Sequence, residues 1–270
     1  MMLKNAIPAA VLATALAAPL AASAQSPDNW RFGAQLYAYL PTISGSSTFP
    51  ASGSTPSASV DVDQILRNLE FVFMGSFEAR KGRWGAFTDL IYMDVGNDKS
   101  GTRDFTIGGI GIPASASANL RYDLKGLIWT LAGQYGAIAG PDGTLDVFAG
   151  ARLVDLEQKI SWDISGNIGS IPANGRSGGS DVSRSDWDGI VGVKGRVMLG
   201  AERRWFVPYY FDIGTGNSDL TWQAMSGIGY SWGAVDVVAA WRYLDYDLGA
   251  GKPFADLSLN GPSLAVGYRW

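Results

Sequence analysis

The fold class is decided by residues 69–95, LEFVFMGSFEARKGRWGAFTDLIYMDV, in which the side chains alternate in character with a period of two. The first half places mainly apolar residues on one face: Leu69, Phe71, Phe73, Gly75, Phe77 and Ala79. After a tight turn at 81–83, the second half repeats the pattern, with Trp84, Ala86, Thr88, Leu90 and Tyr92 on one face. Asp89 falls on the other face of this second run. A period of two is typical of β-strands, so this stretch predicts an antiparallel hairpin.

The same alternation recurs along the chain and predicts ten strands. They lie near 30–40, 69–80, 84–95, 118–136, 144–162, 185–199, 205–214, 220–232, 234–247 and 261–270. The connections alternate in length: they are short at 81–83, 137–143, 200–204 and 233, and long at 41–68, 96–117, 163–184 and 248–260, with 215–219 as a short exception among the long ones. An even strand number with all short turns at one end predicts a closed antiparallel transmembrane β-barrel of 8–12 strands, with longer loops on the outside of the cell.

Two strands depart from clean alternation. Leu127, Trp129 and Leu131 fall on the polar face of the fourth strand, and the fifth strand slips in phase around 154–156. We interpret both as β-bulges, or as strands that continue beyond a membrane. Residues 61–69, DVDQILRNL, predict two helical turns in the first long connection. This segment either folds into the barrel mouth and blocks it or lies on the barrel surface, and we favour the surface position.

The composition excludes several classes of function. Among the 270 residues there is no Cys and no His, which excludes a disulfide scaffold, a thiolate metal site, a Cys nucleophile and a Ser-His-Asp triad. A carboxylate pair such as Asp186 and Asp188 arises from alternation alone. We therefore predict that the protein is not an enzyme and holds no metal or cofactor. The formal net charge of −4 argues against a nucleic-acid partner.

The first 24 residues have the pattern of a secretory signal peptide. A short basic start with Lys4 precedes the apolar run AIPAAVLATALAAPL, and Ala22-Ser23-Ala24 is an A-x-A cleavage site. The prediction is a signal peptide at 1–24 and a barrel at 25–270, exported to the cell outer membrane.

The positions of the tryptophans indicate which barrel face meets lipid, because a soluble barrel also alternates. If both termini lie at one end, five tryptophans occupy one level on the apolar face, where they predict an aromatic girdle: Trp30, Trp84, Trp205, Trp232 and Trp270. The charged residues fall on the opposite face, where they avoid the ~2–4 kcal/mol that each Arg or Lys would cost in lipid. The expected partners are outer-membrane lipids.

Three stretches carry a resemblance to a known group: WRFGAQLYAYLP at 30–41, DVDQILRNL at 61–69 and FEARKGRWGAFTDLIYMDVG at 77–96. The chain resembles the small outer-membrane β-barrels of Gram-negative bacteria, of the opacity-protein and porin-like superfamily, and more narrowly a group of largely uncharacterised proteobacterial outer-membrane proteins. Its end, with Leu264, Val266, Tyr268 and Trp270 alternating, resembles the signal by which such barrels engage the barrel-assembly machinery. The resemblance implies architecture and address, and it transfers no functional residue.

The charged face predicts the character of the lumen. We expect Arg152, Lys194 and Arg242 to supply positive charge at mid-depth, with Asp89 and Asp212 as their counter-charges. Because every level mixes signs, we expect ion pairs to bridge a narrow interior. The predicted function is structural, or porin-like with slow passage of small solutes. The alternative is a surface-displayed adhesion or binding module that acts through its extracellular loops. No oligomeric state follows from the sequence.

Overall fold

The computed structural model describes residues 29–47, 57–60, 69–100, 106–107, 110–111, 116–168, 171–249 and 254–270. Their strands are β1 (Trp30–Tyr39), β2 (Thr42–Ser47), β3 (Ser57–Val60), β4 (Leu69–Lys81), β5 (Trp84–Ser100), β6 (Thr106–Ile107), β7 (Ile110–Gly111), β8 (Ala116–Gly140), β9 (Gly143–Ile168), β10 (Ile171–Leu199), β11 (Trp205–Gly216), β12 (Leu220–Trp232), β13 (Val235–Asp247) and β14 (Phe254–Arg269). No helix long and apolar enough to cross a membrane is present in these ranges. The predicted signal peptide at 1–24 and the segment 61–68 lie outside the described residues.

Ten of these strands close into an antiparallel barrel. β1, β4, β5 and β8 to β14 pair in that order, and β14 returns to β1 through a ladder from Gly33↔Arg269 to Tyr39↔Ser263. The predicted ten-stranded barrel is therefore confirmed. β2 continues the path of β1 along the far half of β14. The interruption falls at Pro41, which has no N–H to donate to a ladder, while the Leu40 N–H still bonds to the Pro262 carbonyl at 3.0 Å.

Several strands are much longer than the sequence pattern indicated. β8, β9 and β10 run to 25, 26 and 29 residues, so most of the predicted connection at 163–184 is paired strand. A pattern search misses a strand in Gly/Ser-rich sequence, because such small residues do not distinguish an apolar face from a polar one. β9 pairs with β8 as far as Ala116↔Gly166 and with β10 as far as Ile171↔Ile168.

The two irregular strands have different explanations. In β8 the ladder shifts between Gly136 and Ile138, and this bulge reverses the phase of the preceding residues. Trp129 and Leu131 consequently lie on the outer face, which confirms the interpretation of this irregularity as a β-bulge; Leu131 is half-exposed there. β9 has no shift around 154–156 in either ladder. Its apparent slip arises because Val154 and Leu156 point into an apolar part of the interior.

The outward-facing positions form an apolar belt around the barrel. It runs from Trp84 to Tyr92 in β5 and from Tyr135 to Leu127 in β8. Asp155 of β9, which pairs with Leu127 and faces outward, marks the edge of the belt on the loop side. Eight residues of strand measure about 27 Å along the strand. At the ~35–45° tilt of such strands this corresponds to a height of about 20 Å, which is of the same order as the ~25 Å apolar band of a membrane barrel. The belt ends where Asp94 and Lys125 form an ion pair at 3.3 Å.

Glycines inside the barrel make room for aromatic side chains. Gly192 on β10 lies beneath Phe148, and a Cβ there would come within 2.6 Å of the Phe148 ring and 2.8 Å of the Asp212 Cβ. Phe148 belongs to a buried cluster with Phe87, Ala132 and Ile190. These strands can therefore pack this closely only because Gly192 has no side chain.

We expect Gly192→Ala to lower the free energy of unfolding by about 1–3 kcal/mol, because the new methyl group overpacks this cluster. Urea unfolding of the lipid-refolded barrel, followed by tryptophan fluorescence, measures the change. The matched control is Gly133→Ala, since a Cβ at Gly133 meets nothing within 4 Å. Equal stability of the two variants would contradict this account of Gly192.

Candidate functional site

The lumen at mid-depth holds a buried ion pair between Arg152 on β9 and Asp212 on β11, the two strands that flank β10. The Arg152 Nη1 donates to Asp212 Oδ1 at 2.9 Å, and Nη2 donates to the second carboxylate oxygen. Both side chains are fully buried, and the Arg152 Nε also donates to the Thr130 hydroxyl at 3.1 Å. This bidentate geometry fixes the position of the guanidinium inside the barrel.

A second bridge is centred on Arg242 of β13. Its Nη2 donates to Asp89 Oδ2 at 3.0 Å and to Gln223 Oε1 at 2.9 Å. Its Nη1 donates to the Tyr37 hydroxyl at 3.1 Å, and this hydroxyl donates in turn to Asp89. Four strands thereby contribute to one hydrogen-bonded network, which restricts the free cross-section of the lumen.

Lys194 lies apart from these two bridges. Its Nζ donates to Glu78 Oε2 at 2.5 Å and sits 3.9 Å from the centroid of the Phe87 ring. Asp89 thus pairs with Arg242 and Asp212 pairs with Arg152, whereas Lys194 pairs with Glu78. Glu78 also accepts from Arg80, at 3.0 Å, and Arg80 makes a bidentate contact with Asp146.

An apolar layer fills the lumen on the loop side of the ion pairs. We name this layer the plug; its buried members are Tyr39, Met74, Ile91, Ile128, Val154, Leu156, Leu244, Tyr246, Leu248 and Leu259. They come from β1, β4, β5, β8, β9, β13, β14 and the residue after β13. Sequence reasoning missed the plug, although the apparent phase slip at Val154 and Leu156 was its signal.

The half of the lumen nearer the short turns is a cavity of about 850 Å³, which we name the cup. It extends from Asp89, Gln223 and Arg242 at mid-depth to the turn at Gly82 and the end of β14. None of the plug residues lines it. The lumen is therefore open at the turn end and filled further in.

The five tryptophans of the predicted girdle lie at the turn ends of their strands and on the outside. Trp30 and Trp84 both pair with Lys81 beside the β4–β5 turn. Trp205 pairs with Leu199 beside the short turn between β10 and β11. Their exposure ranges from 38% for Trp270 to 81% for Trp232, so none is a core residue. No group of three or more potential metal ligands occurs among the residues that the structure describes.

Comparison with known proteins gives matches at the level of structure only. No family model and no curated protein sequence matches the chain. Solved structures that it resembles include the outer membrane protease OmpT from Escherichia coli, with 9% identity, a TM-score of 0.43 and coverage of 91% of this chain and 98% of that one. Others are the translocator domain of the autotransporter NalP from Neisseria meningitidis (16%, TM-score 0.36, 89% and 88%) and the attachment invasion locus protein Ail of Yersinia pestis in complex with sucrose octasulfate (10%, 0.34, 89% and 98%). At these sequence identities and TM-scores, the similarity gives no information about activity.

Proposed function

We propose that this chain is an outer-membrane β-barrel of Gram-negative type with a narrow charged lumen, whose role is structural and which passes small solutes slowly. The apolar belt supports the membrane location, because its exposed side chains, such as Leu264 and Val191, are unfavourable in water. A closed barrel also satisfies the backbone hydrogen bonds that lipid cannot satisfy. The short turns and the cup then face the periplasm, in keeping with the usual topology.

The single observation that carries the slow passage is the closure of the lumen. The Arg152–Asp212 pair is fully buried, and the plug lies directly beyond it, with Leu244, Tyr246 and Leu248 inaccessible to solvent. An eight-stranded barrel is just filled by side chains, whereas open porins have 16–18 strands, so ten strands suit a filled interior.

Single-channel recording of the refolded chain in a planar bilayer tests this proposal. We expect no steps of the size that a general-diffusion porin gives, because solutes would have to displace buried ion pairs and the plug. Insertion is shown separately by the heat-modifiable migration of the folded barrel on a gel. Large, long-lived steps from inserted protein would overturn the closed lumen.

Two further proposals complete this assignment. The chain performs no catalysis, since the lumen carboxylates Asp89, Asp212 and Glu78 each form ion pairs. Its partners are outer-membrane lipids around the belt and the barrel-assembly machinery, which engages the terminal strand β14.

The extended sheet of β8, β9 and β10 favours a second function, as a surface-displayed binding module. β11 ends at Gly216, opposite Asp188, so residues 171–187 of β10 continue beyond their last β11 ladder partner. At ~3.3 Å per residue, such a length of strand extends roughly 50 Å along its axis. The sheet carries charge above the belt, where the Lys159 ammonium hydrogen-bonds to Glu157 and lowers the pKa of that carboxyl.

Shortening this sheet separates the two functions. Removing 159–181 and joining the ends with a two-residue turn is expected to leave folding and conductance unchanged, because the belt and plug are retained. If the sheet is a binding module, cells that display the shortened chain lose most of their attachment to cultured epithelial cells. Undiminished attachment would remove this second candidate.

A further inference from the structure

We propose that the cup binds a small organic anion with an apolar body, which enters from the turn end. The inference deepens the proposed function, since the periplasmic orientation of the cup rests on it. Seven cationic side chains line the cup, against four carboxylates: Arg31, Arg80, Arg83, Lys194, Arg196, Arg242 and Arg269, against Glu78, Asp89, Asp146 and Asp236. Among the described residues the lining thus has a surplus of three positive charges, in a chain whose formal net charge is −4.

The surplus arises at Asp236, which two cations share, and at Arg31 and Arg83. Glu78 accepts from both Lys194 and Arg80. Asp236 accepts from Arg196 at 3.2 Å and from Arg269 at 2.9 Å. Asp146 also pairs with Arg80, so Glu78 and Asp146 together neutralise Lys194 and Arg80, whereas Asp236 neutralises only one of its two cations. Arg31 donates to the Gly82 carbonyl and Arg83 to the Tyr135 hydroxyl, both at 3.2 Å, and neither acceptor carries a charge. An anion that enters the cup would balance this surplus. An ammonium has three donors, of which Glu78 takes one from Lys194.

Two cations of the cup, Lys194 and Arg196, lie against aromatic rings and beside apolar surface. The Lys194 ammonium lies over Phe87, and the Arg196 guanidinium lies 5.1 Å from the centroid of the Phe206 ring. Tyr210, Val238 and Ala265 line the same cavity. The volume of about 850 Å³ is within the ~300–1,000 Å³ typical of ligand sites. Cationic donors set among aromatic rings fit a ligand that combines a phosphate or carboxylate with an apolar ring or chain.

Calorimetric titration of the refolded full chain in zwitterionic detergent micelles tests the cup, with phenyl phosphate as the probe. We expect saturable binding that is at least tenfold tighter than that of benzyltrimethylammonium, a cation of similar shape, and tighter than that of inorganic phosphate. The variant Lys194→Gln/Arg196→Gln should weaken phenyl phosphate binding at least tenfold. It should still fold, since Glu78 keeps Arg80 and Asp236 keeps Arg269.

The matched control is Arg203→Gln/Arg204→Gln, which removes two positive charges from an exposed turn at the same end of the barrel. We expect it to change phenyl phosphate binding less than twofold. Equal weakening in both double variants, or no saturable binding, overturns the cup; equal binding of inorganic phosphate overturns the apolar part of the ligand. Large conductance together with specific binding would overturn the closed lumen and leave the cup standing, so the two proposals fail separately.

Discussion

Replacing Asp212 with alanine is expected to lower the free energy of unfolding of the barrel by about 3–5 kcal/mol, because it leaves the Arg152 guanidinium buried without its counter-charge. Both side chains are fully buried, and Thr130 gives Arg152 one further acceptor. Urea unfolding of the barrel in phospholipid vesicles, followed by tryptophan fluorescence, measures the loss.

Two controls isolate the cause of that loss. Arg152→Met/Asp212→Leu should recover most of it, because a well-packed apolar pair needs no charge compensation. Arg203→Ala breaks the exposed pair with Asp142, at 2.9 Å, and should cost less than about 1 kcal/mol. An Asp212→Ala barrel as stable as the Arg203→Ala barrel would mean that water reaches Arg152 and that mid-lumen is not closed.

Opening the plug is expected to have the largest effect on conductance. Tyr246→Ala/Leu248→Ala removes two side chains with no solvent exposure from one side of the lumen. Among the described residues the Tyr246 hydroxyl has no hydrogen-bond partner, so the truncation strands no donor or acceptor there. We expect single-channel conductance in planar bilayers to rise at least tenfold above that of the unmodified chain.

The control for this variant uses the outer face of the same strand. Trp241→Ala/Tyr243→Ala truncates two aromatic residues of β13 that point away from the lumen, as shown by the Trp241 exposure of 57%. Conductance should be unchanged in this variant. If both double variants conduct equally, the rise reflects a loosened barrel, and the plug is not the barrier to passage.

Alternation along single strands made the barrel predictable. In the hairpin at 69–95 the choice of face repeats every two residues, and the observed ladder pairs Lys81 with Trp84 across the predicted turn. The same local rule separated the outer tryptophans from the inner charges, and it placed Arg152 and Asp212 inside. It also indicated the bulge in β8, because an inserted residue reverses the phase of alternation and leaves Trp129 on the wrong face of a regular strand.

Contacts across the lumen were beyond the sequence. Arg242 meets Asp89, 153 residues away, and Lys194 meets Glu78, 116 residues away, where Asp89 or Asp212 had been expected. Which side chains share a level depends on the stagger of the strands around the closed barrel, and no single strand encodes that stagger. For the same reason, the sequence revealed neither the plug nor the length of the β8–β10 sheet.

The sequence by itself determined the strand number, the antiparallel order and which side chains point outward, because those properties follow from the period of two and from the lengths of the turns. Only the tertiary structure decided which charges pair, where the lumen is filled and how far the strands extend, because these depend on distances between residues that are remote in the chain and are set when β1 closes onto β14.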